Sequence, residues 1–243
     1  MTYPAAFYTA LHEGTPGDLA FYASACEGVD SVLELGCGDG RVLAVMSEVA
    51  VRHGLDLHEG LLEAAEARLG DAVTLHRADM RAFDLGRTFD RIVLPFSGLY
   101  CLLGDADVAR CLACVRDHLT PDGALLLDAY AADEFHPHAE PEDVGVKDWN
   151  ELGHVLVDGA PYAVYEQSRW DPEDQRIDVT YRYAPMDGSP TTVDGVIEQR
   201  YLLRHQLEAH LRDAGLPTVQ MWGGFGGEPW SAEGEHWVAR ARR

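Results

Sequence analysis

Three glycines alternate with other residues in the segment Glu34–Arg41, directly after a short apolar run. Glycines at this spacing let the backbone turn tightly and let a ligand approach the main chain without meeting a Cβ atom. Asp56 follows Gly36 by about 20 residues and ends a second apolar run. A carboxylate at that place can accept hydrogen bonds from the hydroxyl groups of a ribose. The segment and Asp56 together predict a site for a ligand that contains a nucleoside.

The spacing and the charge of the glycine segment distinguish two classes of ligand. Dinucleotide-binding proteins carry the spacing G-x-G-x-x-G, whereas Gly36, Gly38 and Gly40 have the spacing G-x-G-x-G. Glu34 ends the preceding apolar run, and its carboxylate would repel a pyrophosphate but attract an amino or sulfonium group. The sequence therefore predicts S-adenosylmethionine rather than NAD as the ligand. An NAD-dependent oxidoreductase is the alternative, which a nicotinamide-binding assay would detect.

Several motifs between residues 31 and 130 resemble those of the class I S-adenosylmethionine-dependent methyltransferases. These motifs are Glu34–Gly40, Gly54–Leu57, Ala78–Met80, Phe89–Phe96 and Leu119–Gly123. The N-terminal stretch resembles the lid helices of bacterial small-molecule methyltransferases, and the tail Gly223–Pro229 resembles the subgroup that contains amino-sugar N-methyltransferases. The resemblance implies that this chain is an enzyme that uses S-adenosylmethionine and releases S-adenosylhomocysteine.

The resemblance also implies which residues hold the cofactor. Asp56 would hold the ribose hydroxyls, Asp79 and Met80 would flank the adenine, and two tyrosines of the lid would close over the methionine end. The complete predicted set is Tyr8, Tyr22, Glu34, Gly36, Cys37, Gly38, Arg41, Asp56, Leu57, Asp79, Met80 and Pro95.

The acceptor side of the site is expected on the loop Ser97–Cys101, after the predicted fourth strand. Related enzymes often carry a histidine near the position of Cys101, where this chain has cysteine. Tyr100 is the candidate catalytic residue, and it either orients the acceptor or packs in the core. The resemblance implies methyl transfer to a small-molecule acceptor, at nitrogen rather than oxygen, mainly by alignment and desolvation. A non-enzymatic module that binds the cofactor without turnover is a further alternative.

Apolar runs alternate with helical patterns from Ser31 to Tyr130, which predicts a parallel sheet covered by helices. The resemblance implies a Rossmann-like, doubly wound α/β sheet of seven strands with a final antiparallel strand. Val42, Val45, Met46 and Val49 predict one helix face, and Thr120–Gly123 predicts a turn before a fifth strand at Ala124–Ala129.

From about residue 134 the pattern changes to half-exposed strands, which predicts an antiparallel β insertion at 134–203. The methyltransferase domain would then comprise 1–133, with the lid helices, and 204–243. The insertion is expected to form the acceptor side of the site or the face of a homodimer.

Acidic residues outnumber basic ones by 41 to 19, which gives a formal net charge of −22. Such a charge disfavours nucleic acid and anionic membrane surfaces as partners, and with them a nucleic-acid methyltransferase. No metal site is expected, because Cys111 and Cys114 form a lone pair within a helical pattern and His136 and His138 lie in an acidic loop. Five cysteines and an N-terminus without a leader or a membrane span predict a cytoplasmic protein.

Overall fold

The computed structural model describes residues 3–243, which divide into two compact units. The first, the α/β unit, comprises Gly14–Glu134 and Leu202–Arg243. The second, the β unit, comprises residues 3–13 and Phe135–Tyr201. Residues 3–13 therefore group with the antiparallel segment, whereas the sequence analysis placed them in the methyltransferase domain.

Twelve strands and six α-helices follow one another along the described chain. The strands are β1 (Ser31–Leu35), β2 (Val51–Asp56), β3 (Thr74–Arg77), β4 (Phe89–Leu94), β5 (Leu119–Tyr130), β6 (Gly145–Val146), β7 (Asn150–Val157), β8 (Ala160–Asp171), β9 (Arg176–Pro185), β10 (Val193–Arg200), β11 (Thr218–Trp222) and β12 (His236–Arg242). The helices are α1 (Ala5–Leu11), α2 (Asp18–Ala25), α3 (Arg41–Val45), α4 (Glu59–Leu69), α5 (Asp105–His118) and α6 (Arg204–Asp213).

A seven-stranded sheet with the order β11-β12-β5-β4-β1-β2-β3 forms the centre of the α/β unit. Strands β1 to β5 are parallel, and β12 runs antiparallel between β5 and β11. All five residues of β1 are buried, as expected for a central strand covered on both faces. This arrangement confirms the predicted fold class.

The helix after the glycine segment is shorter than the apolar spacing predicts. It ends at Val45, and Met46 leaves the helical conformation with φ −94° and ψ 35°. The next turn is closed by a hydrogen bond from the Val49 amide to the Met46 carbonyl, 3.0 Å long. Val49 is still buried, so the apolar spacing reflects burial of a helix and a turn together rather than one longer helix.

The fifth strand begins before the predicted turn. Leu119 already pairs with Phe89 of β4, and regular pairing resumes where Ala124 lies opposite Arg91. The segment Thr120–Gly123 is therefore an irregularity inside β5, and not a turn that precedes the strand. Its turn-forming residues accommodate the register shift between the two paired stretches.

The β unit contains an antiparallel sheet in which β10, β9 and β8 are neighbours and β7 and β6 both pair with β8. Tyr3, Val164 and Tyr183 are buried in its core, and α1 belongs to the same unit. Gly195 on β10 makes room for this packing, because a Cβ atom there would lie 2.3 Å from Cδ2 of Tyr3. The two-residue strand β6 was missed, since a run that short carries no periodicity.

Two histidines on neighbouring strands of the α/β unit predict a loss of stability in mild acid. Nδ1 of His53 lies 2.8 Å from Nε2 of His76, and the rings stack. Burial, with smaller contributions from His76 and Arg87, lowers the pKa of His53 from 6.5 to about 4. Between these values the unfolded chain binds a proton that the folded chain does not, so stability falls as the pH decreases.

The expected loss from His53 is about 2 kcal/mol between pH 6.5 and pH 5. Urea unfolding at the two pH values measures it. His53→Gln removes the titrating ring while keeping a hydrogen-bonding group for His76, and it should reduce the difference. His205→Gln, on the exposed face of α6, is the matched control. Equal pH dependence in His53→Gln and the wild type would contradict the assignment.

Candidate active site

Several of the predicted site residues lie at one edge of the seven-stranded sheet, where β1, β2, β4 and β5 end. These strands are parallel, so their carboxyl ends meet at the same edge. The chain proceeds from β1 to β2 on one side, whereas β4 lies on the other side of β1. A reversal of strand order of this kind opens a crevice for a ligand in doubly wound sheets.

The glycine segment after β1 has the backbone that its sequence predicts. Gly36, Gly38 and Gly40 have φ angles of 65°, 54° and 77°, a region that favours glycine. A Cβ atom on Gly36 or Gly38 would meet nothing within 4 Å, so the main chain there borders open space. A Cβ atom on Gly40 would lie 2.4 Å from Cδ1 of Leu69, so this glycine permits close packing against α4.

Asp56, the last residue of β2, binds the glycine segment through a hydrogen bond. Its Oδ2 accepts a hydrogen bond from the Gly38 amide at 2.9 Å, and its Oδ1 accepts one from the His58 amide at 2.8 Å. An ionised carboxylate has about four acceptor positions, so two remain for the hydroxyl groups of a ribose. Leu57, the next residue, is 57% exposed and presents an apolar surface beside the carboxylate.

Glu34 carries a buried carboxyl at the end of β1. The residue is 3% exposed, and its Oε2 atom has no hydrogen-bond partner among the residues that the structure describes. Burial raises the pKa of Glu34 well above its ordinary value, and Arg41 opposes the shift. An unpaired buried carboxyl oxygen is costly, and a cationic ligand group beside Glu34 would favour the ionised form of its carboxyl.

Arg41, at the start of α3, forms a bidentate ion pair with Asp18. Its Nη1 and Nη2 atoms lie 3.0 and 2.6 Å from the two carboxylate oxygens. A Cβ atom on Gly14 would lie 2.3 Å from Cζ of Arg41, so the chain before α2 packs against the guanidinium. Arg41 thus has a carboxylate partner within the chain, and a role in holding the cofactor stays a prediction. Cys37 is buried, and its amide donates to the Leu55 carbonyl at 3.0 Å.

Asp79 is also engaged by a neighbouring cation. Nη2 of Arg81 lies 2.6 Å from Oδ2 of Asp79, and Nη1 of Arg81 lies 2.9 Å from Oδ2 of Asp107 on α5. The Arg81 guanidinium holds the pKa of Asp79 below its usual range, so this carboxylate is ionised at neutral pH. The adjacent Met80 is half-buried. An adenine amine would have to share Asp79 with Arg81, which the sequence did not indicate.

Tyr100 lies in the core of the α/β unit. The residue is 0% exposed, and its hydroxyl lies 3.1 Å from the Tyr130 carbonyl oxygen and 3.0 Å from that of Leu202. The same hydroxyl accepts a hydrogen bond from Nε1 of Trp237 at 3.3 Å. The structure therefore favours core packing, the alternative to orientation of the acceptor.

Asp128, near the end of β5, is a residue that sequence reasoning missed. It is 2% exposed, and its Oδ1 accepts hydrogen bonds from the Tyr22 hydroxyl at 2.6 Å and the Phe96 amide at 3.0 Å. Tyr22 is itself 0% exposed, so its ring packs in the core instead of forming an open lid surface. The available signal was an isolated acid in the apolar run Ala124–Ala129.

The chain is strained beside Asp128. Phe96 and Ser97 have φ angles of 54° and 58°, an unusual conformation for two consecutive residues other than glycine. Two hydrogen bonds hold them there, from the Phe96 amide to the Asp128 carboxylate and from the Ser97 amide to the Asp128 carbonyl. Pro95, which precedes them, is buried. Backbone strain maintained in this way is common where a chain borders a ligand.

Tyr8 lies on α1 in the β unit. Its ring packs against Tyr3 and His12, with ring centroids 5.4 and 4.5 Å apart. The prediction that Tyr8 closes over the cofactor remains a prediction.

Comparisons with known proteins identify the family of this chain. A family model described as a methyltransferase domain matches residues 32–123. An N,N-dimethyltransferase of Streptomyces fradiae that acts on dTDP-3-amino-3,6-dideoxy-alpha-D-glucopyranose is 30% identical over 198 residues, which cover 81% of this chain and 74% of the relative. The chain belongs to the S-adenosylmethionine-dependent methyltransferases.

One further relative has a similar activity, and one solved structure shares the fold. A Streptomyces venezuelae N,N-dimethyltransferase for dTDP-3-amino-3,4,6-trideoxy-alpha-D-glucopyranose is 37% identical over 101 residues, which cover 41% of this chain and 42% of the relative. The solved structure of the CcbJ methyltransferase from Streptomyces caelestis has the same fold, with a TM-score of 0.79 at 23% identity over 94% of this chain and 90% of that one.

The methyltransferase uses S-adenosylmethionine and transfers its methyl group to a small-molecule acceptor, as the sequence predicted, with nitrogen favoured over oxygen. The NAD-dependent alternative is thereby set aside. The residues present fit the cofactor, because the glycine segment borders open space and Glu34 offers an unpaired buried oxygen. Within residues 3–243, no helix is long and apolar enough to cross a membrane.

Proposed function

We propose that the methyltransferase methylates the amino group of a sugar carried on a nucleoside diphosphate. The observation that carries this proposal is the 30% identity, over 74% of its length, to an enzyme that dimethylates a dTDP-linked amino sugar. The acidic edge of the sheet supports it, since Glu34, Asp56 and Asp128 all lie where β1, β2 and β5 end. Carboxylates at such an edge favour the cationic amino group of the sugar over an uncharged hydroxyl at the same place.

Within this proposal, the residues of the sheet edge hold the cofactor. Asp56 would bind the ribose hydroxyls, Glu34 the positively charged end, and Gly36 and Gly38 would let the ligand approach the main chain. A second group of residues, Leu57, Asp79 and Met80, would surround the adenine. The bound cofactor supplies an electrophilic methyl group on a sulfonium whose departure leaves a neutral thioether. The chain therefore contributes mainly alignment and exclusion of water.

The β unit would serve the acceptor side or a homodimer. Leu152 and Leu156 lie four residues apart on β7 and are 44% and 66% exposed. Because residues separated by an even number of positions share a face of a strand, these two leucines, with His154 between them, give this face apolar surface that a second subunit could cover. The proposed compartment is the cytoplasm, where the five free cysteines would stay reduced. The net charge of −22 argues for small molecules over nucleic acid as acceptors.

The first test separates cofactor binding from acceptor choice. Calorimetric titration with S-adenosylhomocysteine is expected to show one site per chain. Incubation with S-adenosylmethionine and a panel of dTDP-linked amino sugars should then give products that carry one or two added methyl groups, detected by mass spectrometry. Matched dTDP sugars with a hydroxyl in place of the amine are the controls. Methylation of those hydroxyl sugars, or of none of the amines, would refute the proposed acceptor.

A further inference from the structure

A histidine faces the buried carboxylate of Asp128 from the neighbouring strand. His236 begins β12, and its Nε2 lies 3.2 Å from Oδ2 of Asp128. The Asp128 side chain is 1% exposed, whereas the His236 side chain is 19% exposed. The other ring nitrogen, Nδ1, makes no hydrogen bond to any residue of the described chain. The imidazole is thus hydrogen-bonded through Nε2, and its Nδ1 atom can interact with a ligand.

The partners of Asp128 determine which nitrogen carries the proton. Its Oδ1 is occupied by the Tyr22 hydroxyl and the Phe96 amide, so Oδ2 is the oxygen that faces His236. An ionised carboxylate only accepts hydrogen bonds, so Nε2 must be the protonated nitrogen. The neutral imidazole then keeps its lone pair on Nδ1, which makes this atom the basic one.

The pair lies at the ligand-binding edge of the sheet. His236 is in register with Tyr130, at the carboxyl end of β5. The Tyr22 hydroxyl donates to Oδ1 of Asp128 at 2.6 Å, and burial, Asp128 and Glu34 all raise the pKa of Tyr22. The strained residues Phe96 and Ser97 are anchored on the same aspartate. The ring of Phe225 packs 5.2 Å from that of His236 and shields one side.

Methylation of an amine needs a base, because an alkylammonium group with a pKa of about 10 has no lone pair at neutral pH. The thiol of Cys101, on the loop after β4, cannot serve, since burial raises its pKa to about 11. Asp128 and Tyr130 on β5 face His236, Glu235 precedes it in the chain, and Tyr22 on α2 donates a hydrogen bond to the same Asp128 carboxylate.

We propose that His236 is the general base of this methyltransferase and that Asp128 is its positioning residue. This inference rests on the proposed amine acceptor. Nδ1 of His236 takes a proton from the acceptor ammonium, and the freed nitrogen lone pair forms the bond to the methyl carbon. The sulfur–methyl bond breaks with its electron pair going to sulfur. The imidazolium then loses the proton to solvent, so the histidine is ready for a second transfer.

His236→Gln tests the base directly. Its amide can still donate to Asp128, but it cannot take up a proton near neutral pH. We expect kcat at pH 7 to fall by about 100-fold to 10,000-fold, with the Kd for S-adenosylhomocysteine and the thermal midpoint nearly unchanged. The loss should shrink as the pH approaches the pKa of the amine, because free amine then forms in solution. His205→Gln is the matched control and should retain wild-type kcat.

A spectroscopic measurement tests the positioning role without turnover. In Asp128→Asn, the amide oxygen can keep Tyr22 and Phe96 while the amide nitrogen faces Nε2. The imidazole should therefore switch its proton to Nδ1, which ¹⁵N NMR of the His236 side chain detects, and kcat should fall by about 100-fold or more. The wild type should show the proton on Nε2.

The outcomes separate the two proposals. A wild type that methylates none of the amino sugars refutes the proposed function, and the role of His236 with it. A wild type that methylates them while His236→Gln keeps its kcat and pH profile within twofold refutes only the general base. An unchanged tautomer in Asp128→Asn refutes the positioning role.

Discussion

Replacing Asp56 by alanine is expected to weaken binding of S-adenosylhomocysteine by about 100-fold or more. Without the carboxylate, the ligand would lose two charge-assisted hydrogen bonds to its ribose, each contributing about 1.5 kcal/mol to binding. The substitution would also free the amides of Gly38 and His58, which donate hydrogen bonds to the Asp56 carboxylate at 2.9 and 2.8 Å. The glycine segment would then have to be ordered by the ligand, which adds an entropic cost to binding. Calorimetric titration measures the change in Kd.

Two further variants show what the Asp56 carboxylate does. Asp56→Asn keeps one acceptor oxygen and should fall between the wild type and the alanine variant. Asp213→Ala is the matched control, because Asp213 ends α6 and its side chain is 80% exposed. Both Asp56 variants should remain folded, as circular dichroism would show. A Kd for Asp56→Ala within threefold of the wild type would show that the ribose is held elsewhere.

The second large effect is expected on stability, from loss of the Asp18 carboxylate. Arg41 and Asp18 form an ion pair whose side chains are 17% and 6% exposed. Asp18→Ala leaves the guanidinium half-enclosed without its partner and removes the acceptor of the Thr15 amide. Removing one partner of a buried pair costs more than the pair itself contributes. We expect the free energy of unfolding to fall by about 3 kcal/mol, as measured by urea denaturation.

The Asp18 prediction can be checked with a second substitution that restores stability and with an exposed ion pair as a control. Adding Arg41→Met to Asp18→Ala removes the unpaired charge, so the double variant should be more stable than Asp18→Ala alone. The exposed pair Arg182–Asp194, with both side chains 40% exposed, is the control, and Asp194→Ala should cost less than about 1 kcal/mol. Equal losses for Asp18→Ala and Asp194→Ala would show that burial does not strengthen the dependence on Asp18.

The backbone of the proposed cofactor site could be predicted because its elements are continuous in sequence. The glycine segment, its preceding strand and Asp56 lie within a single strand–helix–strand unit. A turn that needs positive φ angles at three positions requires glycine there, so the residue types predict its conformation. The φ angles of Gly36, Gly38 and Gly40 are all positive, as this prediction requires. The alternation of apolar runs likewise predicted the strand and helix types, because burial imposes a period on each element.

The boundaries were predicted less well for a physical reason. Val49 is buried although it lies in a turn after the helix, and Thr120–Gly123 forms an irregularity within β5 rather than a turn before it. In both places the local residue types allow two conformations, and contacts with distant segments select one of them. The assignment of residues 3–13 to the β unit has the same origin, since Tyr3 packs with Tyr183.

The sequence by itself predicted the reaction class, because its motifs resemble those of a methyltransferase family and its candidate binding residues follow one another along β1, β2 and the segment after β3. Only the tertiary structure joined Asp128 to Tyr22 and His236, which are 106 and 108 positions away in the chain. No local pattern predicts such a cluster, since each member alone resembles an ordinary core or surface residue. The antiparallel return of β12 beside β5 brings the histidine to the carboxylate, and that pairing is decided by the packing of the whole sheet.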